Sequence, residues 1–495
     1  MSRHGSLYVS GENAPRSTYY DRGKFGRMFP MLPPLAADNP TIRQALLAIG
    51  APGGPMDAND TGTPVEMIVN PTPNNLNNPD MTAGITFLGQ FMDHDMTFDP
   101  TSSLERQNDP EQIANFRTPA LELDNVYGAG PGAAPHLYDQ SVDHGLTKFL
   151  VEPIAGSESM NRAGVQKFDL PRNSQGTALI GDPRNDENLM ISQLHLAMLK
   201  FHNAVVDHVK ATTSLTRPTE IFAEAQRLVR WHYQWIVINE FLPKTVGAAL
   251  VKNILANGRK FYNWRNEPFI PVEFSVACYR FGHSQVRPSY RANFGPVAGQ
   301  EFFALIFDPS ENDASDPNDL RGGRRAPRRF IDWQTFFNFG DGHSRPNKKI
   351  DTKLSSPLFE LLGVTPGEPQ SLAQRNLLRS LTFRLPSGQS VARAMHETPL
   401  AAADLSDLKE FGLDTRTPLW FYALREADVC EDGKRLGPVA GRIVAEVFIG
   451  LLEGDALSYL RQDPTWQPTL PQRNGTIGAF NMVDLLSFAG VVSSL

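Results

Sequence analysis

Hydrophobic positions recur along most of this chain with the 3.6-residue period of helices, and almost nowhere with the alternation of strands. Residues 1–80 are the exception. Their Pro- and Asn-rich runs, PMLPPLAADNP and NPTPNNLNNPD, predict extended segments wrapped around something else. From Met81 the spacing turns helical, and between Pro100 and Asp182 turn signals such as YGAGPGAAP predict mostly loops. The longest helical pattern runs from Asp186 to about Lys252, with Pro218 suited to a helix start inside it. Further helices are predicted over 271–283, 370–381, 387–396, 401–410 and 438–461, with a polar loop over 308–329. Repeats and long linkers are absent. The pattern predicts a mainly α fold: one large domain over 81–495 with extensive irregular loops and little β, forming one unit with the wrapping segment 1–80.

Three segments carry candidate chemistry. In MTAGITFLGQFMDHDMTFDP, starting at Met81, the helical period puts Thr86, Gln90, Asp93, His94 and Thr97 on one stripe. Ile85, Leu88, Phe91, Met92 and Met96 cover the remainder, so the helix reads as buried, its polar stripe facing a ligand or cavity. In GDPRNDENLMISQLHLAMLKFHN, Arg184 and Glu187 lie three residues apart at a helix start and project together. His195 and His202 share a helical face, but no carboxylate sits usefully between them and HExxH is absent, so both read as packed side chains. In VACYRFGHSQVRP, His283 follows Gly282, which admits close approach of backbone or a flat cofactor. Cys278 lacks the preceding Gly-rich loop that a thiolate-ligated haem would want.

Composition narrows the function classes. The 495 residues carry a net charge of −7, which disfavours nucleic-acid binding. The Arg-rich end of 308–329 reads as a solvated loop. Two cysteines, Cys278 and Cys430, exclude a disulfide framework and cysteine-ligated zinc or iron–sulfur sites. No stretch approaches the ~18 apolar residues of a membrane-spanning helix. MSRHGSLYVSGENAPRS lacks the apolar run of a secretory leader, which predicts a protein that is cytoplasmic or exported by a non-classical route.

Taken together, GQFMDHD, then RNDEN leading into LHLAMLKFHN, then YRFGHS resemble the animal-type haem peroxidases in order and spacing. RTPALELDNVYG resembles that family's calcium loop, LAQRNLLRSLTFRLPSGQ its asparagine-bearing helix, and RIVAEVFIGLLEGD its C-terminal helix; LPSGQ and LELDNVYG look like bacterial members. The resemblance implies haem b with His283 as proximal iron ligand, Asn376 accepting that ring's other N–H, and Arg280 pairing with a propionate. It implies His94 as general base, Arg184 as charge stabiliser and Gln90 as a positioning donor. Asp93 and Glu187 match positions that esterify haem methyl groups, while Asn188 stands where myeloperoxidase has a sulfonium-forming methionine. A Ca²⁺ site is implied at Asp95, Thr118, Ala120 (by its carbonyl), Glu122 and Asp124, with Glu122 in place of the vertebrate aspartate.

The implied reaction reduces hydrogen peroxide and oxidises bromide, iodide, thiocyanate or phenols. Two rivals share the fold. A fatty-acid dioxygenase of the cyclooxygenase branch would need a tyrosine three residues before the proximal histidine, where Arg280 stands, with Tyr279 one place off. A non-catalytic, peroxinectin-like adhesion module would be expected to show a broken site, and here His94, Arg184 and His283 are all present. Oligomeric state is not readable from the sequence.

Overall fold

The computed structural model describes residues 23–69, 74–98, 114–115, 117–141, 145–264, 267–308, 310, 314–364 and 367–492. It is mainly helical, 46% helix against 9% strand, and the strands form only small sheets. At the centre lies helix Ala83–Met96, in which both the apolar positions and His94 and Asp95 are buried. Gly84 permits this depth, since a Cβ there would stand 2.4 Å from the Phe337 ring. The helix packs on Leu189–Thr212, the longest helix, whose N-cap Asn188 accepts from the Ile191 N–H. Helix Pro218–Ile236 packs on that one in turn and continues through wide π turns at Val237–Phe241 and Pro243–Gly247 to Ala248–Asn257. Pro243 has no N–H to give the ladder, which fits a widened turn at that point.

The pattern over 271–283 does not form one helix. The chain makes a turn at Val272–Ser275, a 3₁₀ turn at Cys278–Phe281 and a second short turn at Gly282–Gln285. The backbone breaks at Ala277 (φ −134°, ψ −82°), and Arg280 Nε donates to the Ser275 carbonyl that a continuing helix would have used. The later helices fall at Leu372–Thr382, Gly388–Ala394 and Pro438–Gly454, with a 3₁₀ run at Ala402–Phe411; Leu419–Glu431 is an additional helix the pattern did not separate. Pro438–Gly454 is buried on nearly every side, and its Glu446 accepts from the N–H groups of Lys260, Phe261 and Tyr262. Among the described residues, no helix is long and apolar enough to cross a membrane.

The described part of the first eighty residues is not all extended, for Pro40–Ile49 is a helix capped by Asn39. Strand Gly23–Gly26 pairs antiparallel with Ala114–Asn115 and parallel with Ile270–Pro271, which ties it to the chain just before the turns that lead to His283. Buried Glu273 reinforces that tie by accepting from the Met28 and Phe29 N–H groups. Replacing Glu273 with Leu strands two buried donors at about 1–3 kcal/mol each. Chemical denaturation should therefore show a loss of about 2–6 kcal/mol, and a loss below about 1 kcal/mol would contradict the tie.

Candidate active site

The polar stripe of helix Ala83–Met96 and the short turn at Gly282–Gln285 open onto one cavity of about 390 Å³. Thr86, Gln90, Asp93, His94 and Thr97 all line it, as do Arg184 and Glu187 from the second segment and Arg280 and His283 from the third. Apolar side chains including Phe87, Ile306 and Leu361 complete the wall, and Arg375 and Arg379 add further charge, a composition suited to a ligand with an apolar body and charged edges.

On one side His94 is buried, and its Nδ1 lies 2.7 Å from Asn185 Oδ1. Burial, with the Arg184 guanidinium nearby, holds the imidazole below its ordinary pKa, so it is neutral and able to accept a proton. Gln90 bridges two neighbours: its amide nitrogen donates to Glu187, and its oxygen accepts from Asn188 at 3.4 Å. Arg184 is more constrained than the sequence suggested. Its Nε and Nη2 donate to Asp182, and Nη2 also donates to the His94 and Thr97 carbonyls, while Nη1 has no partner among the described residues. Asp182 is fully buried and also accepts from Arg117 at 2.6 Å, so two arginines hold its carboxyl far below the usual carboxylate range despite burial.

On the other side His283 Nδ1 lies 2.7 Å from the Asn376 amide, on helix Leu372–Thr382. The amide nitrogen faces the ring, and Arg280 Nη1 reaches the amide oxygen at 3.4 Å. This is the reverse of the expected arrangement, in which Asn376 accepts the ring N–H; an imidazole ligating iron through Nε2 would carry its proton on Nδ1 and would need the amide turned end for end. Arg280 lines the cavity, is held by Ser275 and Asn376, and has no carboxylate in salt-bridge contact among the described residues. Arg280 is half-buried with no ion-pair partner in contact among those residues, and a haem propionate in the cavity would supply one. The two imidazoles, the Arg280 guanidinium and the apolar walls fit haem.

The comparisons agree. The sequence profile described as "Animal haem peroxidase" matches residues 102–302. Over that stretch the chain is similar to the animal haem peroxidases. A peroxidasin homologue of Caenorhabditis elegans is 25% identical over 375 residues, covering 70% of this chain and 27% of the relative. Heme peroxidase 2 of the same organism is 24% identical over 442 residues, covering 75% and 58%. The chain thus spans about a quarter of the peroxidasin relative's length. Among solved structures, peroxidase A of Dictyostelium discoideum superposes with a TM-score of 0.56 at 16% identity, covering 88% of each chain. The fatty acid α-dioxygenase of Arabidopsis thaliana superposes at 0.55 with 14% identity, covering 86% of this chain and 71% of its own. At these identities the superpositions establish the fold alone.

The expected cation ligands are only partly gathered. Asp95 Oδ2 accepts from the Leu123 N–H and the Tyr233 hydroxyl, each at 3.2 Å, but buried Asp95 Oδ1 has no hydrogen-bond partner among the described residues, nor has Asp124 Oδ1. Burial, then mutual repulsion, raises Asp95 well above the carboxylate range, and burial pushes Asp124 up to about 6. Glu122 does not complete a three-acid cluster: among the described residues no group of three or more His, Cys, Asp or Glu is placed to hold a metal. The Thr118 carbonyl accepts from the Ala120 N–H.

His202 is a packed side chain, bonded to the Tyr127 hydroxyl and the Thr147 carbonyl. Cys278 and Cys430 are both free thiols, the first buried and the second exposed. Sequence reasoning missed Asn185, Asp182 and Arg117. Only Asn185 carried a usable signal, as the residue directly after Arg184 at a helix start. Changing Asp182 to Asn leaves Arg117 and Arg184 short of an anion, and breaking a buried pair costs about 3–5 kcal/mol. A melting temperature within a degree of wild type would contradict the double ion pair.

Proposed function

We propose that this chain binds haem in the cavity shared by His94 and His283 and acts as a peroxidase on hydrogen peroxide. The observation that carries the reading is that two imidazoles line one cavity, each tied by Nδ1 to an asparagine at 2.7 Å. His283, Arg280 and Asn376 would hold the group, the first through Nε2 and the others through a propionate and the ring N–H. Bound haem supplies redox-active iron that cleaves peroxide and oxidises a donor. His94 Nε2 removes a proton from peroxide and returns it to the leaving oxygen, so that water departs rather than hydroxide. Arg184 Nη1 offsets the negative charge that develops as the O–O bond breaks. Gln90, pinned between Glu187 and Asn188, orients water or a small anion beside His94.

Asp93 and Glu187 line the same cavity, which supports ester links to haem. Asn188 is used as a helix cap, and the sulfonium link of myeloperoxidase has no counterpart here. Bromide, iodide, thiocyanate or phenols are therefore the proposed donors. The dioxygenase reading is disfavoured, because Tyr279 is one place off and its hydroxyl donates to the Gly89 carbonyl at 2.9 Å. A purely adhesive role does not account for the paired histidines.

Stopped-flow mixing of the haem-loaded protein with hydrogen peroxide tests the reading. A rapid Soret change, reversed by bromide or a phenol, is expected, and His94→Ala should slow it by about 10²–10⁴. A His94→Ala rate within a few-fold of wild type would overturn the assignment.

A Ca²⁺ ion held by Asp95 and Asp124, with oxygens from the loop carrying Thr118, Ala120 and Glu122, would satisfy Asp95 Oδ1 and Asp124 Oδ1, neither of which has a hydrogen-bond partner among the described residues. Excess EGTA should lower the melting temperature by a few degrees, with calcium restoring it. A melting curve indifferent to EGTA and calcium would remove the ion from the account.

A further inference from the structure

The hydrogen bond on His94 does not end at Asn185. Asn185 is fully buried on the turn Pro183–Asp186, and its amide nitrogen lies 2.9 Å from Nδ1 of a second buried histidine, His195. The turn itself is clamped. Asp186 accepts two hydrogen bonds from Arg172, Glu187 O accepts from the Gly322 N–H, and a Cβ on Gly322 would stand 1.8 Å from Asp186 O. The amide therefore has two settings and little else. With Oδ1 toward His94, as in the structure, His94 donates from Nδ1 and keeps Nε2 as a bare lone pair, while His195 accepts at Nδ1. With the amide reversed, His94 must accept at Nδ1 and carry its proton on Nε2, where it is no longer a base, and His195 must donate.

We propose that Asn185 is a positioning residue that fixes the proton of His94 on Nδ1, and that His195 holds the amide in that setting by accepting its N–H. A cationic His195 would carry a proton on Nδ1 and force the reversed setting. Burial prevents this, pushing His195 down to about 3, with Arg117 and His94 acting in the same direction against Asp182. The inference rests on the reading of His94 as the base, and it accounts for a histidine that otherwise only fills the core.

Cyanide binding to the haem-loaded enzyme provides the test, because hydrogen cyanide binds as the anion and delivers its proton to His94 Nε2. Soret titrations at one near-neutral pH would compare wild type with Asn185→Leu, Asn185→Asp, His195→Leu and the double variant Asn185→Asp/His195→Leu. Asn185→Leu should weaken cyanide binding about tenfold or more, short of the ~10⁴ lost in turnover when a charged tautomer-holding partner is replaced. Asn185→Asp can only accept, so it should restore affinity to within about threefold with neutral His195 turned to donate. His195→Leu should weaken binding alone, yet change little once Asn185→Asp is present. Equal losses in Asn185→Leu and Asn185→Asp, or none in Asn185→Leu, would overturn the proposal. Should Asn185→Leu fail to hold haem, the His195→Leu comparison in the two backgrounds decides. His94→Ala separates the failures: unchanged cyanide affinity there sinks the base reading itself, whereas weakened binding with an indifferent Asn185→Leu sinks only the relay.

Discussion

Both ends of the cavity depend on one kind of contact, an asparagine amide against the Nδ1 of a histidine. A neutral imidazole offers one donor and one acceptor, so fixing Nδ1 decides what Nε2 can do. On the His94 side the Asn185 oxygen makes Nε2 a base. On the His283 side the Asn376 amide stands at the same 2.7 Å, turned so that one rotation of a planar group sets Nε2 up to ligate iron. An amide is well suited to both tasks because it presents a donor and an acceptor of nearly equal shape and brings no charge into a buried site.

The scaffold serves to hold those amides. Helix Ala83–Met96 brings His94 to the cavity with apolar contacts on its other sides. The turn carrying Asn185 is fastened by Arg172–Asp186 and by the Arg117–Asp182–Arg184 group, in which one fully buried carboxylate serves two guanidiniums. That arrangement leaves one nitrogen of Arg184 for the cavity and places Arg117 3.5 Å from Asp124. The loop proposed for calcium and the cavity arginine are thus joined by a short run of charges, so an ion at Asp95 and Asp124 would act on the same structural unit as His94.

Much of this was legible from the chain. The narrow polar stripe on a wholly apolar helix announced a cavity, and all five of its residues line one. Three separated segments, each weak alone, converge on that cavity. Less legible was anything set by partners distant in sequence. The single helix expected over 271–283 gives way to three turns, with a non-helical Ala277 and Arg280 bonded to the Ser275 carbonyl, an arrangement that periodicity does not encode. Asn185 and Asp182 act through contacts some ninety and sixty-five residues away, to His94 and Arg117. His195 reads as core packing, which it is, and only the amide between it and His94 gives it a second role.

The most direct measurement is the resonance Raman spectrum of the ferrous haem-loaded protein. The account predicts an iron–histidine stretch in wild type, its loss in His283→Ala, and a shift to lower frequency in Asn376→Leu as the ring loses its hydrogen-bond partner and becomes a weaker donor. A stretch that survives His283→Ala, or one that does not move in Asn376→Leu, would contradict the claim that an asparagine-held His283 is the iron ligand.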